Sequence, residues 1–166
     1  MPRLTALLAL ALAACVAQPT QVASFRRPAA PIYSAAAFDP SRLAGDWRQV
    51  AAFAGSGTGC AAGAVSFKPQ GTQLAIAGTL CLNGQTVRLS GPVRLAGPGR
   101  LAVGGMQDWW VLWVDSGYRT LAIGTPDGRF GFVLDRGRIS ADRLTAAAEI
   151  FEFNGYPKSR LQSFRP

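Results

Sequence analysis

The residue types on which enzymes most often rely are scarce in this chain. Its 166 residues include no histidine, which removes the commonest general base and the commonest zinc ligand. The three cysteines, Cys15, Cys60 and Cys81, therefore have no imidazole to activate a thiolate, and neither a Ser–His nor a Cys–His set can be assembled. The carboxylates offer little more. Asp108 and Asp115 flank one apolar stretch at opposite ends, and Glu149 and Glu152 fall in a segment with helical spacing. Paired-carboxylate or thiol catalysis is thus a minor alternative, and neither a cofactor nor a metal is expected.

Cys15 points to a different chemistry. Met1-Pro2-Arg3 is a short basic start, Leu4 to Ala14 is an unbroken run of Leu and Ala apart from Thr5, and Leu12-Ala13-Ala14-Cys15 closes it with small residues. The run is well short of the roughly 20 apolar residues that span a bilayer, so it reads as an export signal. Its ending resembles a bacterial lipobox. That resemblance implies removal of residues 1–14 and lipidation of Cys15 on sulfur as the new N-terminus. Ordinary cleavage after Ala11-Leu12-Ala13 or Ala14 is the competing reading.

With Cys15 assigned to lipid, Cys60 and Cys81 form an even pair in an oxidising compartment, where a disulfide is the default. Closing that loop stabilises the fold by roughly 3 kcal/mol in the chain-entropy picture. The alternative, a reactive thiol, lacks an activating base. Formal net charge is +8, almost all of the basic residues being arginine. Export argues against nucleic acid as the partner, so scattered arginines read as a solvated face, with some affinity for anionic lipid headgroups.

Residues 15–37 read as a lipidated N-terminus and flexible tether: alanine-rich, punctuated by Gln18-Pro19, Arg27-Pro28 and Ala30-Pro31, with no period. Residues 38–166 then form one domain. Short apolar runs predict strands at Trp47–Ala54, Ala62–Lys68, Gln73–Cys81, Gln85–Ser90, Arg100–Val103, Trp109–Val114, Thr120–Gly124 and Phe130–Asp135. Glycine turns separate them, and Asn83-Gly84 supplies the positive-φ pair of a tight hairpin. Eight strands in series suggest an up-and-down antiparallel barrel or a sandwich. In Trp109–Val114 both faces are apolar, so something must pack outside the sheet. Ser140 as N-cap, Asp142 in the first turn, Leu144, Ala147, Ala148 and Phe151 at helical spacing, and Gly155 as C-cap predict that element, one C-terminal α-helix. Leu161–Phe164 adds a short final strand.

Three ordered motifs carry a family resemblance. Gly45-Asp46-Trp47 follows Asp39-Pro40 and opens the first strand; Asp115-Ser116-Gly117-Tyr118 sits between the sixth and seventh; Leu134-Asp135-Arg136 ends the eighth. Together they resemble the signatures of the lipocalins, and Trp109 to Phe164 is similar to the lipocalins of bacterial outer membranes and their relative apolipoprotein D. The resemblance implies an all-β fold, an eight-stranded up-and-down antiparallel barrel with one C-terminal α-helix packed outside. It also implies a lipid-anchored protein in the bacterial outer membrane, facing the periplasm. Gly45, Trp47, Asp115, Tyr118 and Arg136 would close the barrel base, with Arg136 across the Trp47 indole. Arg48, Asp46 and Val114 depart from the family pattern, and Gly55–Leu101 matches it poorly.

The function implied is binding of a small hydrophobic or amphiphilic ligand, of fatty acid or lysophospholipid class, for storage, transport or repair in the envelope. An eight-stranded barrel is just wide enough for one. Candidate lining comes from Phe53, Phe67, Trp109, Trp110, Trp113, Phe130 and Phe132, only one parity of each strand facing inward. The alternative is a structural or interaction lipoprotein whose aromatics fill the barrel.

Overall fold

The computed structural model describes residues 24–55 and 59–164. Cys15, the signal segment and the first part of the tether lie outside the described residues.

Eight antiparallel strands run in order: β1 (Gly45–Phe53), β2 (Ala64–Gln70), β3 (Gln73–Leu82), β4 (Gln85–Gly97), β5 (Arg100–Val103), β6 (Trp109–Val114), β7 (Thr120–Gly124) and β8 (Gly131–Asp135). Each pairs with its neighbour in sequence, and β1 pairs with both β2 and β8, which closes the barrel. A ninth strand, β9 (Leu161–Ser163), lies outside it. β9 takes the edge of β1 at Ala51–Phe53, beyond the point where pairing with β2 ends at Arg48. Four barrel strands differ from the predicted bounds by one or two residues at an end, and β4 by seven. Its inward–outward alternation continues past Gly91-Pro92, with Val93 buried and Arg94 exposed, so the strand runs to Gly97.

One helix, α1 (Ala141–Phe153), follows the barrel. The Ser140 hydroxyl accepts from Arg143 N at its start, and Gly155 takes φ +86° just past its end, where a side chain would be strained. Ala147 and Phe151 are its fully buried positions. They join Phe53, Leu112, Ala122, Val133 and Tyr156 in a cluster on the outer face of the sheet, separate from the cluster inside the barrel. Gly131 is small for this reason: a Cβ there would stand 2.9 Å from the Phe53 ring and 3.1 Å from Phe151.

Residues 24–39, assigned by composition to the tether and its junction, run as a strap along the barrel, Phe25 and Ile32 joining this outer cluster and Ala35 and Phe38 packing with the interior one. Phe25 is buried against Phe53, ring centroids 6.0 Å apart. Arg26 is buried too, its guanidinium donating to the carbonyls of Asn154, Pro126 and Ala30. Backbone bonds from Phe25 to Gly128, Arg27 to Gly155 and Ala35 to Val111 hold the strap along its length. Prolines without period still pack when single anchors are strong enough.

Candidate functional site

Two bulges decide which side chains face inward. In β1 the register with β8 shifts between Gln49 and Ala51, and in β6 the register with β7 shifts between Val111 and Trp113. One extra residue reverses the alternation beyond it. Trp47 therefore faces the interior, whereas Phe53, of the same parity, joins the outer cluster under α1. Trp109 likewise faces inward while Trp113 packs outside.

The seven aromatics proposed from sequence divide accordingly. Phe67, Trp109, Phe130 and Phe132 belong to the interior cluster; Phe53, Trp110 and Trp113 lie on the outer face and do not line the barrel. Trp109 stands edge-on to Phe132 at 5.1 Å and to Phe130 at 6.5 Å between centroids. Around them Ile76, Leu80, Leu101, Val111, Leu121 and Ile123 complete the interior. The buried charged side chains of the described residues, Arg26 and Asp135, bond to partners outside the interior. The exposure of Trp109 and Phe132 is 0%, so the side chains fill the space around one another. The Trp109 indole N–H nevertheless has no hydrogen-bond partner among the described residues.

The barrel base is built from the signature residues. The Arg136 guanidinium lies 4.2 Å from the Trp47 ring centroid. Its Nε donates to Tyr118 O at 2.9 Å, and one Nη donates to the carbonyls of Arg42 (2.7 Å) and Ala44 (3.0 Å). Those carbonyls end the 3-10 turn Pro40–Leu43, whose Leu43 O accepts from the Trp47 indole at 2.8 Å. Burial holds the Arg136 pKa below its ordinary value, with Asp46 opposing the shift. Gly45 takes φ +112°, and a Cβ there would approach Arg136 Nη1 to 2.7 Å. Asp115 Oδ1 accepts from the backbone N–H groups of Arg119 and Thr120, while the Tyr118 hydroxyl accepts from Asp39 N. This constellation plugs the base of the barrel.

At the opposite end the Cys60–Cys81 disulfide bridges the loop before β2 to the end of β3, Cα atoms 5.5 Å apart. Cys60 itself lies just outside the strand. Beside it Gln49, 2% exposed, fills the gap left where β2 has not yet paired: its amide donates to Cys81 O and accepts from Cys81 N, both at 2.7 Å. Nothing in the local pattern marks this glutamine, since its role depends on a gap between distant strands.

Sequence reading also missed the buried pair joining α1 to the barrel. Asp135 is fully buried, and its Oδ2 accepts from Arg143 Nη1 and from Thr120 Oγ1, each at 2.7 Å. The carboxylates considered for catalysis are not brought together: Asp108 and Asp115 sit at opposite ends of β6, and Glu149 and Glu152 lie on the helix outside. Among the described residues no cluster of His, Cys, Asp or Glu is arranged to hold a metal.

Two surface clefts accompany the barrel. One, of about 1230 Å³, runs along the outer face between β1, β2 and the start of α1, with Arg48, Arg136 and Arg138 on its wall. The other, of about 640 Å³, opens at the base beside Pro40 and the β2–β3 turn and reaches Val93 and Leu101.

No protein-family model matches the chain, and no curated protein sequence does. Solved structures do. Insecticyanin from the tobacco hornworm Manduca sexta superposes with a TM-score of 0.58 at 16% identity, covering 82% of this chain and 87% of that one. The chain has the lipocalin fold. The cockroach allergen Per a 4 gives a TM-score of 0.61 at 8% identity, over 83% of this chain and 95% of that one. Lobster apocrustacyanin A1 gives 0.55 at 14%, over 76% and 78%. At such identities the shared property of these lipocalins and this chain is architecture, and ligand chemistry has to be argued from the barrel itself.

Proposed function

We propose that this protein binds a small hydrophobic or amphiphilic molecule within its barrel, as a carrier in the cell envelope. The observation that carries the reading is the interior itself: a closed eight-stranded lipocalin barrel, plugged at one end and lined by Phe67, Trp109, Phe130 and Phe132, with the buried charged side chains of the described residues, Arg26 and Asp135, both paired outside it. Such a lining suits an acyl chain, of fatty acid or lysophospholipid class. The signal-like start and Cys15 support attachment by lipid to the periplasmic face of a bacterial outer membrane. No helix among the described residues is long and apolar enough to cross a membrane.

A second reading has its own support. The near-zero exposure of Trp109, Phe132 and Phe67 fits a barrel filled by its own side chains, acting as a structural or interaction module. Titrating the purified protein with an environment-sensitive apolar dye separates the two. Saturable one-to-one enhancement, displaced by a long-chain acyl compound, supports binding; no enhancement supports the filled barrel.

A further inference from the structure

We propose that the Trp109 indole N–H is the hydrogen-bond donor that selects the ligand, and that it selects an uncharged acceptor such as an ester or ketone carbonyl. The inference rests on the ligand-binding reading above and refines it from "acyl chain" to the polar group the chain carries.

Buried donors in folded proteins are nearly always paired, so an exception calls for an explanation. Here the exception is isolated. The buried polar side chains of the described residues, Arg26, Gln49, Thr120, Thr125, Asp135 and Asn154, all have partners, and all lie outside the interior aromatic cluster apart from Gln49 at its rim. Among the described residues of the interior cluster, Trp109 alone has a buried donor without a partner. The rings nearest it, Phe130 and Phe132, offer only their π faces or edges, and an aromatic face is a weak acceptor. The other unpaired buried donor, Arg100 Nε, belongs to a guanidinium stacked on Trp110 at the outer face.

Position and charge narrow the class. Trp109 begins β6, so it lies towards the end of the barrel where the β1–β2, β3–β4, β5–β6 and β7–β8 connections gather, away from the Trp47–Arg136 plug. Met106 in the preceding loop is partly buried against the same cluster, and Phe130, at 7%, is more exposed than its neighbours Trp109 and Phe132. These two are the side chains an entering ligand would displace. A carboxylate placed beside Trp109 would be buried with one donor and no cation, which a low-dielectric interior disfavours strongly. The adjoining rim is no better for an anion: Asp108 precedes Trp109, and Arg129, next to Phe130, is paired with Asp127 at 2.8 Å. An ester or ketone oxygen carries no charge to desolvate and accepts one hydrogen bond. Trp109 can donate one.

The test uses the full-length protein and three probes of matched chain length: a long-chain methyl ester, the corresponding alkane and the free fatty acid at neutral pH. The methyl ester should bind about tenfold more tightly than the alkane, the value of one good net hydrogen bond. Trp109→Phe should abolish that preference, ester and alkane then binding alike, and the free acid should bind less well than the ester. In the wild-type protein with ¹⁵N-labelled tryptophan, the Trp109 indole resonance should move downfield with the ester and not with the alkane, a readout that does not depend on the variant folding. Equal binding of ester and alkane, a preference that survives Trp109→Phe, or an indole resonance unmoved by bound ester would overturn the inference and leave the binding reading standing. If none of the probes binds, the binding reading itself falls and the inference falls with it.

Discussion

Arg136 at the end of β8 stacks on Trp47 near the start of β1, and its guanidinium ties the Tyr118, Arg42 and Ala44 carbonyls into one plug at the barrel base. Trp47→Ala leaves a large cavity there and should cost roughly 3–5 kcal/mol, much of a domain's net stability. Arg136→Ala should cost less, about 1–3 kcal/mol, for the lost stacking and partly buried hydrogen bonds. In urea titrations the double variant should be less destabilised than the sum, since either change already removes the shared contact. Additive losses would show that the two residues act separately. A loss of ligand binding at full stability in Arg136→Ala would make the arginine a ligand contact.

The Asp135–Arg143 pair gives a sharper expectation. Arg143→Met strands a fully buried carboxylate and should destabilise by about 3–5 kcal/mol. Combining it with Asp135→Leu should recover part of the loss, because no unpaired charge then remains. A single variant as stable as the wild type in thermal melts would show that the pair does not anchor α1.

Tyr156 sets a pH dependence. Its hydroxyl accepts from Thr125 N at 2.8 Å and lies 2.8 Å and 3.1 Å from the carbonyls of Thr125 and Phe130. Burial raises its pKa above the ordinary value near 10. Above that value the unfolded chain releases the tyrosine proton while the native state keeps it. The native state then binds more protons, and stability falls as pH rises beyond about 10. Tyr156→Phe should be less stable at neutral pH by about 1–3 kcal/mol, the cost of stranding its partners, and should lose stability less steeply as the pH rises past about 10. Parallel pH profiles of the two proteins would contradict the assignment.

The Cys60–Cys81 bridge and the anchor are open to mass measurement and fractionation. Unreduced, denatured protein should offer neither Cys60 nor Cys81 to alkylation, and reduction should add two hydrogens and lower stability by roughly 3 kcal/mol. Two reactive thiols before reduction would reject the bridge. Cys15→Ser should shift the protein from the membrane fraction to the periplasm or leave the signal uncleaved. Unchanged fractionation would remove the basis for a lipid anchor.

Local pattern made the strands, their turns and the capped helix legible, since each depends on neighbours a few residues away. The base plug was legible as well, because Gly45, Trp47, Asp115, Tyr118 and Arg136 carry a family pattern whose geometry follows from barrel closure. The inward face was not. A bulge in β1 and another in β6 sent Phe53 and Trp113 to the outer surface, and alternation counted along a strand cannot register an inserted residue that only the partner strand reveals. Gln49, Asp135 and Arg143 were missed for a related reason: each is buried by contacts with segments far away in sequence. The packed strap at 24–39 depends on Phe25 and Arg26, two anchors within an otherwise tether-like composition.

Native mass spectrometry of the protein extracted from membranes, without denaturation, tests the central claim most directly. The account predicts a population heavier than the processed chain by the mass of one small hydrophobic molecule, released on mild activation and identified as an acyl compound. A single species at the mass of the processed chain alone, from membranes rich in such compounds, would contradict it and leave a barrel filled by its own side chains.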